Sequence, residues 1–156
     1  MMQEELLELL PYLTKQERVE MDRLLTMEPT PKPWREIARP NQLAPPGNWQ
    51  IWLLLAGRGF GKTRTIVEWA QEKAMATKSR GNIVASTSSD GRDVLVDGPS
   101  GFLAVCDPVP EWEPSKRRLT WANGSTATLF SAEEPARLRG PQCHWAIADE
   151  LAAWVY

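Results

Sequence analysis

Ala56-Gly57-Arg58-Gly59-Phe60-Gly61-Lys62-Thr63 is the stretch of this sequence whose residue types and spacing can do chemistry. Glycines at 57, 59 and 61 let consecutive backbone N–H groups curl around an anion without Cβ clashes. A helix beginning near Gly61 adds its partial positive charge at the same point. Lys62 is placed to reach the β- and γ-phosphates of a nucleoside triphosphate, and the Thr63 hydroxyl to ligate Mg²⁺. This is the spacing of a Walker A loop, with Ala56 where a first glycine is more usual. The plainer alternative is a glycine-rich turn with an exposed lysine. Near the other end, Trp145–Ala148 are followed by Asp149-Glu150, the pattern of a Walker B strand. There Asp149 would hold Mg²⁺ through water and Glu150 would act as general base toward an attacking water. Many strands end in an exposed acid, so the upstream loop is what gives this pair its meaning.

The elements flanking these motifs would position them. Trp49–Leu55, with the continuous apolar run Ile51–Leu55, predicts a central strand buried on both faces. The helix after the loop should reach about Ala76, with Ile66, Val67, Trp69, Ala70 and Ala74 on its inner face. Gly81 is expected to end it, before a second buried strand over 82–88. Ser88, Ser89 or Asp90 could cap a short helix through Val96, and Phe102–Cys106 reads as another after a Pro99-Ser100-Gly101 break. Arg118–Ala122 and Ser125–Phe130 flank Asn123-Gly124, the signature of a two-residue hairpin turn. A short helical piece over 132–138 then leads to the buried strand Trp145–Ala148. Strands alternating with helices predict an α/β fold with a mostly parallel sheet flanked by helices.

Composition sets the outer bounds. A chain of 156 residues, 42% hydrophobic and 24% charged, is long enough for one packed core. A net charge of −2 supplies no global attraction to polyanions, so any nucleic-acid contact has to be local. No apolar run approaches a membrane span, and the acidic start Met1-Met2-Gln3-Glu4-Glu5 lacks the basic region of a secretory signal. Cys106 and Cys143 fit a reducing compartment and suggest no disulfide framework. The eight tryptophans are scattered and read mainly as packing residues.

Three segments are expected: a peripheral helical segment over 1–28, a proline-rich connector over 29–47, and a partial nucleotide-binding domain over 48–156. In the first, Leu6, Leu7, Leu9 and Leu10 make an amphipathic turn ended by Pro11. Thr14 and Glu17 form a capping box for a helix to about Met27. The connector should run extended, since proline donates no ladder hydrogen bond. Cys143-His144 lacks a second ligand pair and reads as a strand entrance rather than a metal site. Lys116-Arg117-Arg118 could touch DNA phosphate, with a solvated basic face as the alternative.

Taken together, several stretches resemble the large terminase subunit of tailed phages. They are 38–43, 52–64, 113–121, 130–134, 138–142 and 149–154, covering the chain from about Ala38 onward. The resemblance implies a P-loop NTPase: the Mg²⁺-dependent ATPase that packages double-stranded phage DNA into a procapsid. It also implies a small terminase subunit and a portal as partners, self-assembly into a ring, and a place in the host cytoplasm. Ala56, Gly57, Arg58, Gly59, Phe60, Gly61, Lys62 and Thr63 would bind ATP, and Thr63 and Asp149 would hold Mg²⁺. Glu150 would be catalytic. Arg58 matches a loop arginine that senses or neutralises the γ-phosphate. Arg139 matches an arginine acting as a finger on a neighbouring subunit's nucleotide, an exposed turn arginine being the alternative. Gln42 or Gln50 would read adenine. A further strand would follow Asp149-Glu150 and lie between the two motif strands, with a nuclease domain beyond it. On that expectation the domain is incomplete at its C-terminus, and residues 1–156 alone would be poorly stable and essentially inactive as an ATPase. A helicase-like P-loop ATPase and a non-catalytic prophage remnant are the competing readings.

Overall fold

The structure is a computed structural model that describes Thr14 and residues 32–154. The chain divides into two units, 1–37 and 38–156. The expected segment over 1–28, with its capping box, lies outside the described residues apart from Thr14. Within the connector, a single turn of helix, α1, spans Trp34–Ile37, and Pro40–Gln42 forms a turn of 3-10 helix. The connector is therefore not extended throughout. Proline is at home in the first turn of a helix, where its missing N–H has no partner to lose.

In the second unit, α2 spans Lys62–Ala76, β1 Arg80–Ala85 and α3 Ser88–Asp90, which continues as a π-helical stretch over Gly91–Val96. After α4 (Phe102–Val105) come β2 (Glu111–Glu113), β3 (Arg118–Thr120), β4 (Thr126–Ser131) and β5 (Trp145–Ala148). One five-stranded sheet has the order β2-β3-β4-β1-β5. β1 pairs in parallel with both β4 and β5, whereas β2-β3-β4 is antiparallel. The sheet is thus mixed rather than mostly parallel, because the two antiparallel pairings, β2-β3 and β3-β4, equal the two parallel ones in number.

α2 buries Val67, Ala70 and Ala74 completely, as its 3.6-residue periodicity predicts. Ile66 and Trp69 lie half-buried against the same cluster. The hairpin differs from expectation in its turn. Thr120 faces Thr126, the Gly124 N–H donates to the Trp121 carbonyl, and φ is positive at Gly124 but not at Asn123. A two-residue turn of the primed type needs positive φ at both central positions. Asn123 instead spends its amide on neighbours: Nδ2 donates to the Ala74 carbonyl and Oδ1 accepts from the Ser125 N–H.

Gly81 lies inside β1 and does not end the helix. A Cβ there would sit 2.2 Å from the Trp145 ring. That indole is buried, and its Nε1 donates to Ser79 Oγ at 3.1 Å, so it has little freedom to retreat. Gly81→Ala is expected to cost about 1–3 kcal/mol by overpacking. Thermal melting checks this, and an unchanged midpoint would contradict it. Trp145 also belongs to a run of ring contacts through Trp69 to Trp49 and Trp52 on one side, and through Trp121 to Phe102 on the other. Tryptophan packing therefore ties the segment before the glycine loop to the core.

That segment is the largest departure from expectation. Residues 51–57 join no β-ladder among the described residues. Trp52, Leu54 and Ala56 are half-buried, whereas Ile51, Leu53 and Leu55 are 85%, 62% and 85% exposed. A strand buried on both faces needs cover on both, and here only one face has it. Among the described residues β5 likewise pairs only with β1, and its Ala146 and Ala148 are exposed, so it is half-buried rather than fully so.

Candidate functional site

The parallel strands deliver their carboxyl ends to one edge of the sheet, where ligands of α/β folds bind. β5 ends at Ala148, and Asp149 follows it with its N–H donated to the Val84 carbonyl of β1. Glu150 then turns with φ +49°, and its N–H donates to Asp149 Oδ1 at 3.0 Å. The Trp154 indole N–H donates to the Asp149 carbonyl, fastening the short helical turn Leu151–Ala153 beneath the acid pair.

The glycine loop meets this edge. Gly59 and Gly61 take φ +80° and +86°, backbone that only glycine adopts readily. α2 starts at Lys62, with the Thr65 N–H and Oγ1 both donating to the Gly61 carbonyl. Lys62 folds back across the loop, its Nζ donating to the Ala56 carbonyl at 2.9 Å and the Gly57 carbonyl at 3.1 Å. Thr63 Oγ1 donates to Asp149 Oδ2 at 3.3 Å, bridging positions 86 residues apart. Two motifs far apart in sequence therefore share one mouth.

Thr63, Asp149 and Glu150 line a cavity of about 70 Å³ with Ala85, Ser86, Asp90, Val94 and Leu95. That space suits an ion and its waters; anything of nucleotide size has to lie over the open loop. Asp90 is a third acid here, and none of the expected caps Ser88, Ser89 and Asp90 caps the helix. The cap is Thr87, whose hydroxyl oxygen accepts the Asp90 N–H and whose hydroxyl donates to Asp90 Oδ2 at 2.8 Å.

The remaining candidates are less tightly held. Arg58 is exposed at the tip of the loop. Arg139 is exposed after the 3-10 turn Pro135–Leu138 and is not among the residues lining the cavity. Gln50 is exposed, whereas Gln42 is buried behind the loop, its Nε2 donating to the Phe60 carbonyl at 2.9 Å. His144 Nδ1 accepts the Arg80 N–H at 3.0 Å, which makes it the entrance to the β1–β5 ladder. Lys116 and Arg118 pair with Glu113 and Arg117 with Glu134, so the basic run is partly neutralised locally.

Sequence reasoning missed the polar groups buried along α2. Glu68 pairs with Arg64 at 2.7 Å, and burial raises its pKa against the opposing pull of that guanidinium. The Cys106 thiol is pushed up to about 12 by burial, with the Glu68 charge adding to the effect. Gln71 accepts the Trp121 indole N–H and donates to the carbonyls of Asp107 and Pro108.

The fold and site define an α/β protein whose glycine loop and acid pair meet at the carboxyl edge of parallel strands. A family model described as terminase large subunit, T4likevirus-type, N-terminal matches residues 53–156. The chain belongs to this terminase large-subunit family. No curated protein and no solved structure matches it. No helix among the described residues is long and apolar enough to cross a membrane.

Proposed function

We propose that this chain carries the nucleotide site of a P-loop ATPase, the motor part of a terminase large subunit that drives double-stranded phage DNA into a procapsid. The observation that carries the reading is the hydrogen bond from Thr63 Oγ1 to Asp149 Oδ2. It sets the loop hydroxyl and the strand-end carboxylate side by side, as a shared hard cation requires. The donor set fits magnesium: both atoms are oxygen ligands, and they border a cavity of ion size. Thr63 and Asp149 would hold the ion, which when bound neutralises phosphate charge and orients the terminal phosphoryl group.

The rest of the work falls to the chain's own groups. The loop N–H groups other than that of Phe60, which donates to the Gly57 carbonyl, form an anion cradle with the start of α2 behind them. Lys62 exchanges the Ala56 and Gly57 carbonyls for phosphate oxygens, a stronger, charge-assisted pairing. Arg58, exposed at the loop tip, neutralises the γ-phosphate. Glu150 takes a proton from the attacking water. In the assembled motor, with small terminase subunit and portal, turnover by a ring of such chains moves the DNA.

Lys62→Ala is expected to weaken Mg²⁺–ATP binding by about 1.5–3 kcal/mol, the worth of a charged hydrogen bond. Titration of a fluorescent ATP analogue against both proteins, with and without Mg²⁺, tests the reading. Indistinguishable binding would sink the phosphate-loop assignment.

A further inference from the structure

Behind the glycine loop, the 3-10 turn Pro40–Gln42 presents two side chains to a single backbone oxygen. Gln42 Nε2 donates to the Phe60 carbonyl at 2.9 Å, and Arg39 Nη2 donates to the same oxygen. The other end of the Gln42 amide is also engaged, Oε1 accepting the Arg39 N–H at 3.0 Å. Gln42 is 8% exposed, and Arg39 lies with its guanidinium carbon 5.0 Å from the centre of the Phe60 ring. Gly61 comes so close that a Cβ there would meet Gln42 Nε2 at 3.0 Å.

We propose that Arg39 and Gln42 form a bracket that fixes the loop for triphosphate capture, acting as positioning residues that do not discriminate the base. The inference rests on the reading of residues 56–63 as a phosphate loop. Its physical basis is the planarity of the peptide unit. In a trans peptide the C=O and the following N–H point in opposite directions. Holding the Phe60 oxygen from behind therefore turns the Gly61 N–H to the front, where an anion cradle needs its donors. A two-donor bracket also holds this peptide against rotation, which positive φ at Gly59 and Gly61 would otherwise leave loosely restrained. The stack of Arg39 on Phe60 keeps the bulky ring of the loop at the back. A glutamine whose two ends are both committed to neighbouring groups is poorly placed to read adenine, the role its sequence context suggested.

The test uses the whole chain and calorimetric titration with the Mg²⁺ complexes of ATP, GTP and inorganic tripolyphosphate. Gln42→Met keeps the length and the neutral charge of the side chain but loses the donor to Phe60, so lost binding can be ascribed neither to a cavity nor to negative charge added beside the phosphates. It is expected to weaken all three ligands by a similar factor of about tenfold, with Arg39→Gln, at an exposed position, weakening all three to a smaller degree. Arg39→Gln also carries the test alone should the Gln42 variant fail to melt cooperatively. Loss confined to ATP would overturn the inference and place Gln42 on the base. Unchanged binding of all three by these variants, while Lys62→Ala still weakens them, would overturn the bracket alone. Unchanged binding by Lys62→Ala as well would remove the loop reading on which it rests.

Discussion

Glu150→Gln in the assembled terminase is expected to bind Mg²⁺–ATP as the parent does and to turn it over about 10²–10⁴-fold more slowly. The amide keeps the size and shape of the carboxylate and loses only the proton acceptor. Glu150 stands at the cavity mouth immediately after Asp149, held in the left-handed region with its N–H on Asp149 Oδ1. Its backbone geometry is therefore set by Asp149 and by the turn Leu151–Ala153, not by its own side chain. Phosphate release, measured alongside nucleotide affinity, separates the two effects. Turnover within a few-fold of the parent would move the general base elsewhere, with Asp90 the next acid lining the same cavity.

Arg139→Ala is expected to lose about 10³-fold or more of the turnover of the assembled motor, the scale of an arginine finger, and to change nucleotide binding by the isolated chain little. Arg139 is exposed and does not line the cavity of its own chain, which fits a role toward a neighbour's nucleotide. Leu138 is half-buried and Gly140 takes φ +113°, so the arginine stands on a turn with one anchored side. A guanidinium suits the task because it is always charged and binds phosphate oxygens in pairs. Mixing Arg139→Ala with Glu150→Gln subunits decides the direction of action. A finger acting in trans leaves some sites in mixed rings with both groups intact, and partial activity returns. No rescue at any mixing ratio would assign Arg139 to its own site or to none.

Much of this architecture was readable from local signals, and the failures have identifiable causes. α2 announced itself because three turns of apolar periodicity follow a glycine, and β5 because a short apolar run ends in acids. Thr65, Glu68 and Gln71 are not legible as buried residues: Thr65 and Glu68 bond one turn back, to Gly61 and Arg64, but their burial, like the bond of Gln71 to Trp121, comes from tertiary packing. Trp49–Leu55 reads as a doubly buried strand because the unbroken apolar run within it carries no information about which neighbours are present. In the structure one face is covered and the other is not. The hairpin turn departs from expectation because Asn123-Gly124 fits two turn types, and only the use of the Asn123 side chain selects between them. Asp90 reaches the site through folding, from a segment with no motif of its own, and Gln42, within the stretch 38–43, owes its place behind the loop to partners that only folding supplies.

The joining of loop and acid pair into one magnesium–nucleotide site is tested most directly by a double-mutant cycle on Thr63 and Asp149. Mg²⁺–ATP affinity is measured for the parent, Thr63→Ala, Asp149→Asn and the double variant, each with and without EDTA. Two ligands of one ion are expected to be coupled by roughly 1 kcal/mol or more, so the double variant binds little worse than the weaker single one. EDTA should bring all four to a similar low affinity. Additive losses, or affinities that neither substitution nor metal removal alters, would contradict a shared site.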